Sequence, residues 1–161
     1  MVAVFAHALA VIRRDVFGGK SDPEFVAAAA LFHDAPEIFT GDLPSPIKYL
    51  NPEIMTAYKD VEARAAQKLL EMLPVEMRRA YIPLLQEEDG DVRDLIKAAD
   101  KLSAYVKCVE EIKSGNTEFV SAREQLENTL VSLNMPEVDY FMKNFIPAFG
   151  MNLDDISLTA E

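Results

Sequence analysis

Apolar residues recur along this chain at intervals of three and four, which is the spacing of one face of an α-helix. No segment alternates convincingly between apolar and polar residues, as a half-buried β-strand would. The pattern predicts helices over about residues 1–16, 21–35, 51–72, 74–86, 92–114, 117–133 and 136–145. We therefore expect an all-α protein, a compact bundle of about six or seven helices.

Glycine and proline mark the predicted ends of these helices. Gly18 and Gly19 end the first helix, and the capping box Ser21–Glu24, which contains a proline, starts the second. Pro36 disfavours a helical conformation at the residue before it, so the second helix should end or kink there. The stretch TGDLPSPIKYLNPE, residues 40–53, should then form an extended loop that its prolines stiffen.

Length and charge limit the classes of protein and partner. The 161 residues predict a single domain over residues 1–161, with a polar, frayed tail at 150–161. The formal net charge of −11 repels a polyphosphate backbone, so we expect no polymeric nucleic acid as a partner. A small phosphate-bearing substrate is compatible with this charge if a local cation or metal ion offsets the field.

Cysteine content and hydropathy favour a cytoplasmic location. The one cysteine, Cys108, lies in an apolar helical pattern and cannot form an internal disulfide. Neither a signal peptide nor an apolar run long enough to span a bilayer is visible, so we expect no membrane partner.

Candidate chemistry concentrates in LFHDAPEIFTGDLPSPIKY, residues 31–49, which begins at the end of the alanine-rich second helix. His33 and Asp34 could both reach one divalent ion above the helix end, and imidazole with carboxylate suits Mn²⁺, Co²⁺, Fe²⁺ or Zn²⁺. The alternative, which the dipeptide alone favours, is a buried histidine held by an aspartate. Glu37 could perform acid–base chemistry beside a metal-bound water, or it could be a solvated glutamate at a helix end.

Two further aspartates are less distinctive in the sequence pattern. Asp42 precedes the segment LPSP, whose prolines could hold a rigid substrate-recognition loop or an ordinary surface turn. Asp100 has small neighbours but lies opposite the apolar stripe of its helix, so periodicity predicts a solvated side chain.

Three segments of the chain, FHDAPEIFTGDLPSPIKY, IKAADKLSAYVKCVEEI and DYFMKNFIPAF, closely resemble the YfbR-type 5′-deoxynucleotidases of the HD-domain superfamily. The resemblance covers essentially the whole chain, in order and at compatible spacing. It implies an all-α HD fold, a homodimer, and hydrolysis of deoxyribonucleoside 5′-monophosphates to deoxynucleoside and phosphate. It also implies a divalent metal cofactor, for which we expect Co²⁺ or Mn²⁺.

The resemblance implies roles for individual residues. His33, Asp34 and Asp100 match the family's metal ligands, which overrides the periodicity-based prediction for Asp100. Glu37 matches the acidic residue that works on the attacking water. The residues that we expect to contact the substrate are Asp34, Asp42, Leu43, Pro44, Ser45 and Asp100.

The resemblance also implies an earlier segment that carries one more metal-ligand histidine, with an arginine and a tryptophan that contact the nucleotide. That histidine aligns upstream of Met1, so we expect this chain to begin inside the first helix of the family fold. His7 lies about 15 Å along the helix axis from that position, so we expect it to be structural. Two alternatives to the nucleotidase stay open: a catalytically impaired or degenerate HD domain that binds a nucleotide or dimerises, and an HD phosphatase with another substrate.

Overall fold

The structure, a computed structural model, describes residues 1–44, 47, 50–86 and 90–151. The helices within these ranges are α1 (Val2–Val11), α2 (Pro23–Ala30), α3 (Glu37–Thr40), α4 (Pro52–Met72), α5 (Val75–Leu85), α6 (Gly90–Lys113), α7 (Val120–Ser132), α8 (Pro136–Asn144) and α9 (Ile146–Phe149). A π-helical turn, Ile12–Val16, follows α1, and a 3₁₀ turn, Thr117–Phe119, precedes α7. No β-strand occurs among the described residues, in agreement with the predicted all-α class.

Seven of these helices have eight or more residues, and each corresponds to one predicted segment. The second helix ends earlier than predicted, at Ala30 rather than near Ala35. Residues 31–36 instead form consecutive turns, in which Phe32 N donates to Ala29 O at 3.0 Å and Ala35 N donates to Phe32 O at 3.0 Å. Such hydrogen bonds across three residues tighten a helix end, and the following proline disfavours a return to the α-helix.

The described residues form two compact units. The first comprises Met1–Ala27 with the described part of Asp94–Glu161, and the second comprises Ala28–Arg93. The single domain over residues 1–161 stays a prediction. The predicted tail lies outside the described residues, apart from Gly150 and Met151.

Helix α6 carries an apolar stripe in the first unit. Leu95, Leu102 and Val106 are each at most 1% exposed, as their helical spacing predicts. Burying a side chain of this size stabilises the fold by about 2 kcal/mol. In the same unit, Phe5 of α1 makes an edge-to-face contact with Phe141 of α8, with ring centroids 5.3 Å apart.

The π-helical turn continues α1 with a wider backbone turn. Phe17 N donates to Ile12 O at 3.3 Å, a hydrogen bond across five residues. The Phe17 ring then packs edge to face against Tyr140 of α8, with ring centroids 6.1 Å apart. The wider turn therefore leads directly into a contact between elements that are distant in the sequence.

A buried ion pair also joins the π-helical turn to α8. Glu137 is 2% exposed, and its Oε1 accepts hydrogen bonds from Arg13 Nε, at 2.8 Å, and from Arg13 Nη2. Gly19 lies against the same arginine: a Cβ there would stand 2.9 Å from Arg13 Cγ, while Gly19 N donates to Arg13 O at 2.9 Å. The chain can therefore close on Arg13 because residue 19 has no side chain.

In the second unit, both ends of α4 have side-chain caps. Asn51 accepts a hydrogen bond from Ile54 N at 2.8 Å and Pro52 follows it, so the helix begins where the predicted segment 51–72 begins. At the other end, Arg78 donates to Leu73 O at 3.0 Å and to Glu71 O at 2.8 Å. These bonds satisfy carbonyl groups that a helix end leaves without helical partners.

The short helix α3 packs against α4 and ends at a glycine. Gly41 N donates to Glu37 O at 2.8 Å, and Gly41 adopts φ 66° and ψ 164°. This backbone conformation is essentially restricted to glycine because a Cβ atom would strain it. Gly41 therefore determines the direction in which the next loop leaves α3.

We predict that Glu137→Ala lowers the free energy of unfolding by about 3 kcal/mol, because it removes the buried carboxylate that faces the Arg13 guanidinium. Urea unfolding followed by circular dichroism measures the change. Glu124→Ala is the matched control, since Glu124 is exposed on α7 and should change stability by less than about 0.5 kcal/mol. Equal effects of the two substitutions would contradict a stabilising role for the ion pair.

We predict that Gly41→Ala destabilises the protein by about 1–3 kcal/mol, because alanine is strained at a positive φ of this kind. Gly90→Ala is its control, because Gly90 begins α6 without a positive φ and an added Cβ would meet only open space. That change should be neutral or slightly stabilising. Thermal unfolding of both variants distinguishes backbone strain from the general cost of an added methyl group.

Candidate active site

The turns after α2 hold His33 in one defined orientation. Its Nδ1 lies 2.8 Å from the carbonyl oxygen of Ala30. A carbonyl oxygen can only accept a hydrogen bond, so Nδ1 carries the proton and donates it. Nε2 of the neutral ring therefore presents a lone pair, which is the arrangement in which histidines bind metal ions in proteins.

The other ring nitrogen, Nε2, is buried and has no hydrogen-bond partner in the described part of the chain. Asp34 Oδ2 lies 3.0 Å away, but the two atoms are not in hydrogen-bonding geometry. A buried polar atom without a partner is unusual in a folded protein. Two electron-rich atoms at this separation fit a cation bound beside them, so the donor chemistry of His33 and Asp34 suits a divalent metal ion.

Glu37 belongs to the same local structure as this pair. It is the first residue of α3, its side chain is partly exposed, and its backbone N donates to Asp34 O at 3.0 Å. His33, Asp34 and Glu37 therefore lie in one short stretch of the second unit. A carboxylate is a side chain that can transfer protons in catalysis.

The predicted substrate loop begins where α3 ends. Asp42 and Pro44 are exposed and Leu43 is half-buried, whereas Ser45 lies outside the described residues. The preceding carbonyl, Gly41 O, accepts a hydrogen bond from the Tyr58 hydroxyl at 2.9 Å. The exposed side chains of the loop therefore follow an anchored backbone group.

Tyr58 was not found by sequence reasoning. It lies in α4, seventeen residues after Gly41, in a helix whose start and end the sequence predicts well. Its position in a helical pattern gives no sign of a hydrogen bond to a backbone carbonyl of another element. Only a structure that brings α3 against α4 reveals the contact.

Asp100 lies on α6, within the first unit. Its side chain is 48% exposed, and Lys101 Nζ stands 3.4 Å from Asp100 Oδ2. The exposure of the Asp100 side chain is thus close to that of the solvated aspartate that periodicity predicts. Its assignment as a metal ligand stays a prediction.

Among the residues that the structure describes, no group of three or more histidine, cysteine, aspartate or glutamate side chains forms a metal-binding cluster. His33 and Asp34 are accordingly two donors that fit a metal ion, rather than a complete set of ligands. His7, the other histidine of the chain, is exposed on α1. Within the described ranges, no helix is both long enough and apolar enough to cross a lipid bilayer.

The whole sequence is similar to a group of bacterial enzymes. It matches the family described as 5′-deoxynucleotidase YfbR-like over residues 1–149. It is 50% identical over 159 residues to a 5′-deoxynucleotidase of Yersinia pseudotuberculosis, with 98% of this chain and 81% of that protein covered. A 5′-deoxynucleotidase of Erwinia tasmaniensis is 48% identical over 158 residues, with 97% and 80% covered.

The fold is similar to that of a solved HD-domain phosphohydrolase from Listeria innocua. The TM-score is 0.71 at 23% sequence identity, and the match covers 92% of this chain and 72% of the other. This likeness supports the predicted HD-type helical fold. The family match is independent of it and extends from the first residue through the His-Asp pair and Asp100. This chain therefore belongs to the YfbR-like 5′-deoxynucleotidase family.

Proposed function

We propose that this chain is a metal-dependent 5′-deoxynucleotidase, which hydrolyses deoxyribonucleoside 5′-monophosphates to deoxynucleoside and phosphate. Relatives that are about half identical over nearly the whole chain carry the name 5′-deoxynucleotidase. The observation that carries the proposal is the His33 ring, whose Nδ1 is held by Ala30 O while buried Nε2 faces Asp34 Oδ2. A histidine that ligates a metal ion in a protein is usually oriented by such a bond from its other ring nitrogen.

His33, Asp34 and Asp100 would hold the divalent ion, for which we propose Co²⁺ or Mn²⁺ because imidazole and carboxylate donors suit both. When bound, such an ion lowers the pKa of a coordinated water and neutralises phosphate charge. The donors from the second unit are the better supported part of this ligand set, since their geometry agrees with metal binding. Asp100 enters the set through the family resemblance.

Glu37 accepts the proton of the attacking water in the proposed reaction. A bond forms between the water oxygen and phosphorus, the bond from phosphorus to the 5′ oxygen breaks, and the 5′ oxygen takes up a proton. The loop residues hold the sugar side of the substrate, and we assign this role to Asp42, Leu43, Pro44 and Ser45. We also assign substrate contacts to Asp34 and Asp100, the two carboxylates that would hold the metal ion.

The charge of the protein constrains how the substrate binds. A nucleoside monophosphate is an anion, and the chain has a formal net charge of −11. Carboxylates at Asp34, Glu37 and Asp42 add to the negative potential around the phosphate. Compensation of this potential by a cation is therefore a requirement for binding as well as for catalysis.

Three finer features belong to the same proposal. The protein acts as a homodimer, its partner ligand is a small deoxynucleoside monophosphate rather than polymeric nucleic acid, and it works in the cytoplasm. The resemblance of the whole chain supports the first two features, and the single cysteine supports the third. Sedimentation velocity at several protein concentrations tests the homodimer directly.

We predict that the chain releases phosphate from dAMP in the presence of Co²⁺ and that Glu37→Gln lowers kcat by about 10²–10⁴-fold, because the amide cannot accept the proton. Glu76→Gln is the matched control: Glu76 also lies in the first turn of a helix of the second unit, α5, and is exposed. Its activity should equal that of the unsubstituted chain. Full activity of Glu37→Gln would contradict the role of Glu37, whereas metal and nucleotide binding without any turnover would favour the degenerate HD domain.

We predict that His33→Ala weakens Co²⁺ binding by at least about tenfold, because it removes a nitrogen donor from the ion. His7→Ala provides the control, since His7 is the other histidine of the chain and is exposed on α1. Visible absorption of bound Co²⁺ and equilibrium dialysis measure binding without any need for turnover. Equal losses in the two variants, or no loss in His33→Ala, would contradict the proposed metal site.

A further inference from the structure

We propose that Tyr58 is a positioning residue for the substrate loop, and that its hydroxyl fixes the backbone from which Asp42 projects. The inference rests on the proposed function, because that function gives Asp42, Leu43 and Pro44, among the loop residues, the task of holding the substrate. The observation behind it is the hydrogen bond from Tyr58 Oη to Gly41 O, at 2.9 Å. Donor and acceptor both belong to the second unit.

The carbonyl of Gly41 is held by two hydroxyl groups. Thr40 Oγ1 lies 2.9 Å from Gly41 O, as does Tyr58 Oη, and the two hydroxyl oxygens are 3.5 Å apart. A carbonyl oxygen has two lone pairs, so these two donors can satisfy it completely. One donor belongs to α3 itself, whereas Tyr58 connects the carbonyl to α4.

Fixing this carbonyl also fixes the next residue. The peptide unit is planar, so Gly41 C=O and the N–H and Cα of Asp42 lie in one plane. Rotation at Gly41 would otherwise be freer than at any other residue type. The Tyr58 hydroxyl therefore restricts backbone rotation at Gly41, the residue at which this part of the chain rotates most freely.

The described residues that follow Gly41 are mostly exposed, and a backbone hydrogen bond from Ile47 N to Pro44 O, at 2.8 Å, lies further along the loop. Asp42 and Pro44 are exposed, and Leu43 is only half-buried. Exposed segments with few buried contacts open at low free-energy cost. An anchor at Gly41 thus reduces the conformational freedom that the loop would lose when substrate binds.

The first test is Tyr58→Phe, which removes the hydroxyl and keeps the ring. We expect KM for dAMP to rise about threefold to tenfold while kcat stays within about twofold, because loop order affects binding more than proton transfer at Glu37. Tyr81→Phe is the matched control: Tyr81 is a half-buried tyrosine of the same unit whose ring packs edge to face on Phe32, a contact that phenylalanine preserves. An unchanged KM in Tyr58→Phe, or an equal rise in both variants, would overturn the proposal.

A double-mutant cycle distinguishes action through the loop from any other effect of Tyr58. If the hydroxyl acts by positioning Asp42, Tyr58→Phe should raise KM much less in an Asp42→Ala background than in the unsubstituted chain. Fully additive effects would show that Tyr58 acts elsewhere and would overturn the inference.

Amide hydrogen exchange provides a readout that does not depend on activity. Exchange at the Asp42 and Leu43 amides should be faster in Tyr58→Phe than in Tyr81→Phe and the unsubstituted chain. Equal exchange in all three proteins would overturn the anchor, whatever their activity. Absence of turnover in the unsubstituted chain would instead refute the proposed function, so the two failures can be told apart.

Discussion

The hydrogen bond from His33 Nδ1 to Ala30 O determines the chemistry that the end of α2 can offer. A helix leaves its last carbonyls without helical partners, and here a side chain three residues further on takes one of them. In the neutral ring this bond places the proton on Nδ1 and the lone pair on Nε2, beside Asp34. One hydrogen bond thus satisfies a carbonyl at the helix end and orients the His33 ring. The carbonyl of Ala30 can accept this bond because α2 ends at Ala30.

Local signals predicted most of the helices because each signal acts within a few residues. The start of the helix predicted over residues 51–72 and the apolar stripe of the helix that carries Asp100 are of this kind, and both are found where expected. The end of α2 was misplaced because tight turns and an α-helix share the same hydrophobic spacing over one turn. The burial of Glu137 could not be predicted, since its partner Arg13 lies 124 residues away.

In the candidate site, too, residues with local sequence signals could be predicted and residues that depend on distant contacts could not. His33, Asp34 and Glu37 were identifiable because they are close in sequence and belong to one turn structure. Asp100 has no such local signal, and its half-exposed side chain beside Lys101 agrees with its position opposite the apolar stripe. Periodicity reports only burial against the nearest neighbours and carries no sign of chemistry shared with distant residues. The assignment of Asp100 as a metal ligand therefore rests on the resemblance of the whole chain and stays a prediction.

The π-helical turn after α1 accommodates one extra residue in this part of the chain. A turn closed across five residues holds one residue more than an α-turn, so the residues beyond it are rotated by about 100° relative to a continuous α-helix. In this rotated orientation the Phe17 ring contacts Tyr140. An α-turn made of the same number of residues would turn Phe17 away from α8, whereas loss of one residue from Ile12–Val16 would restore a regular helix and keep Phe17 N paired with Ile12 O on the same side. The π-helical turn therefore holds one residue more than a regular helix would need to make the same contact.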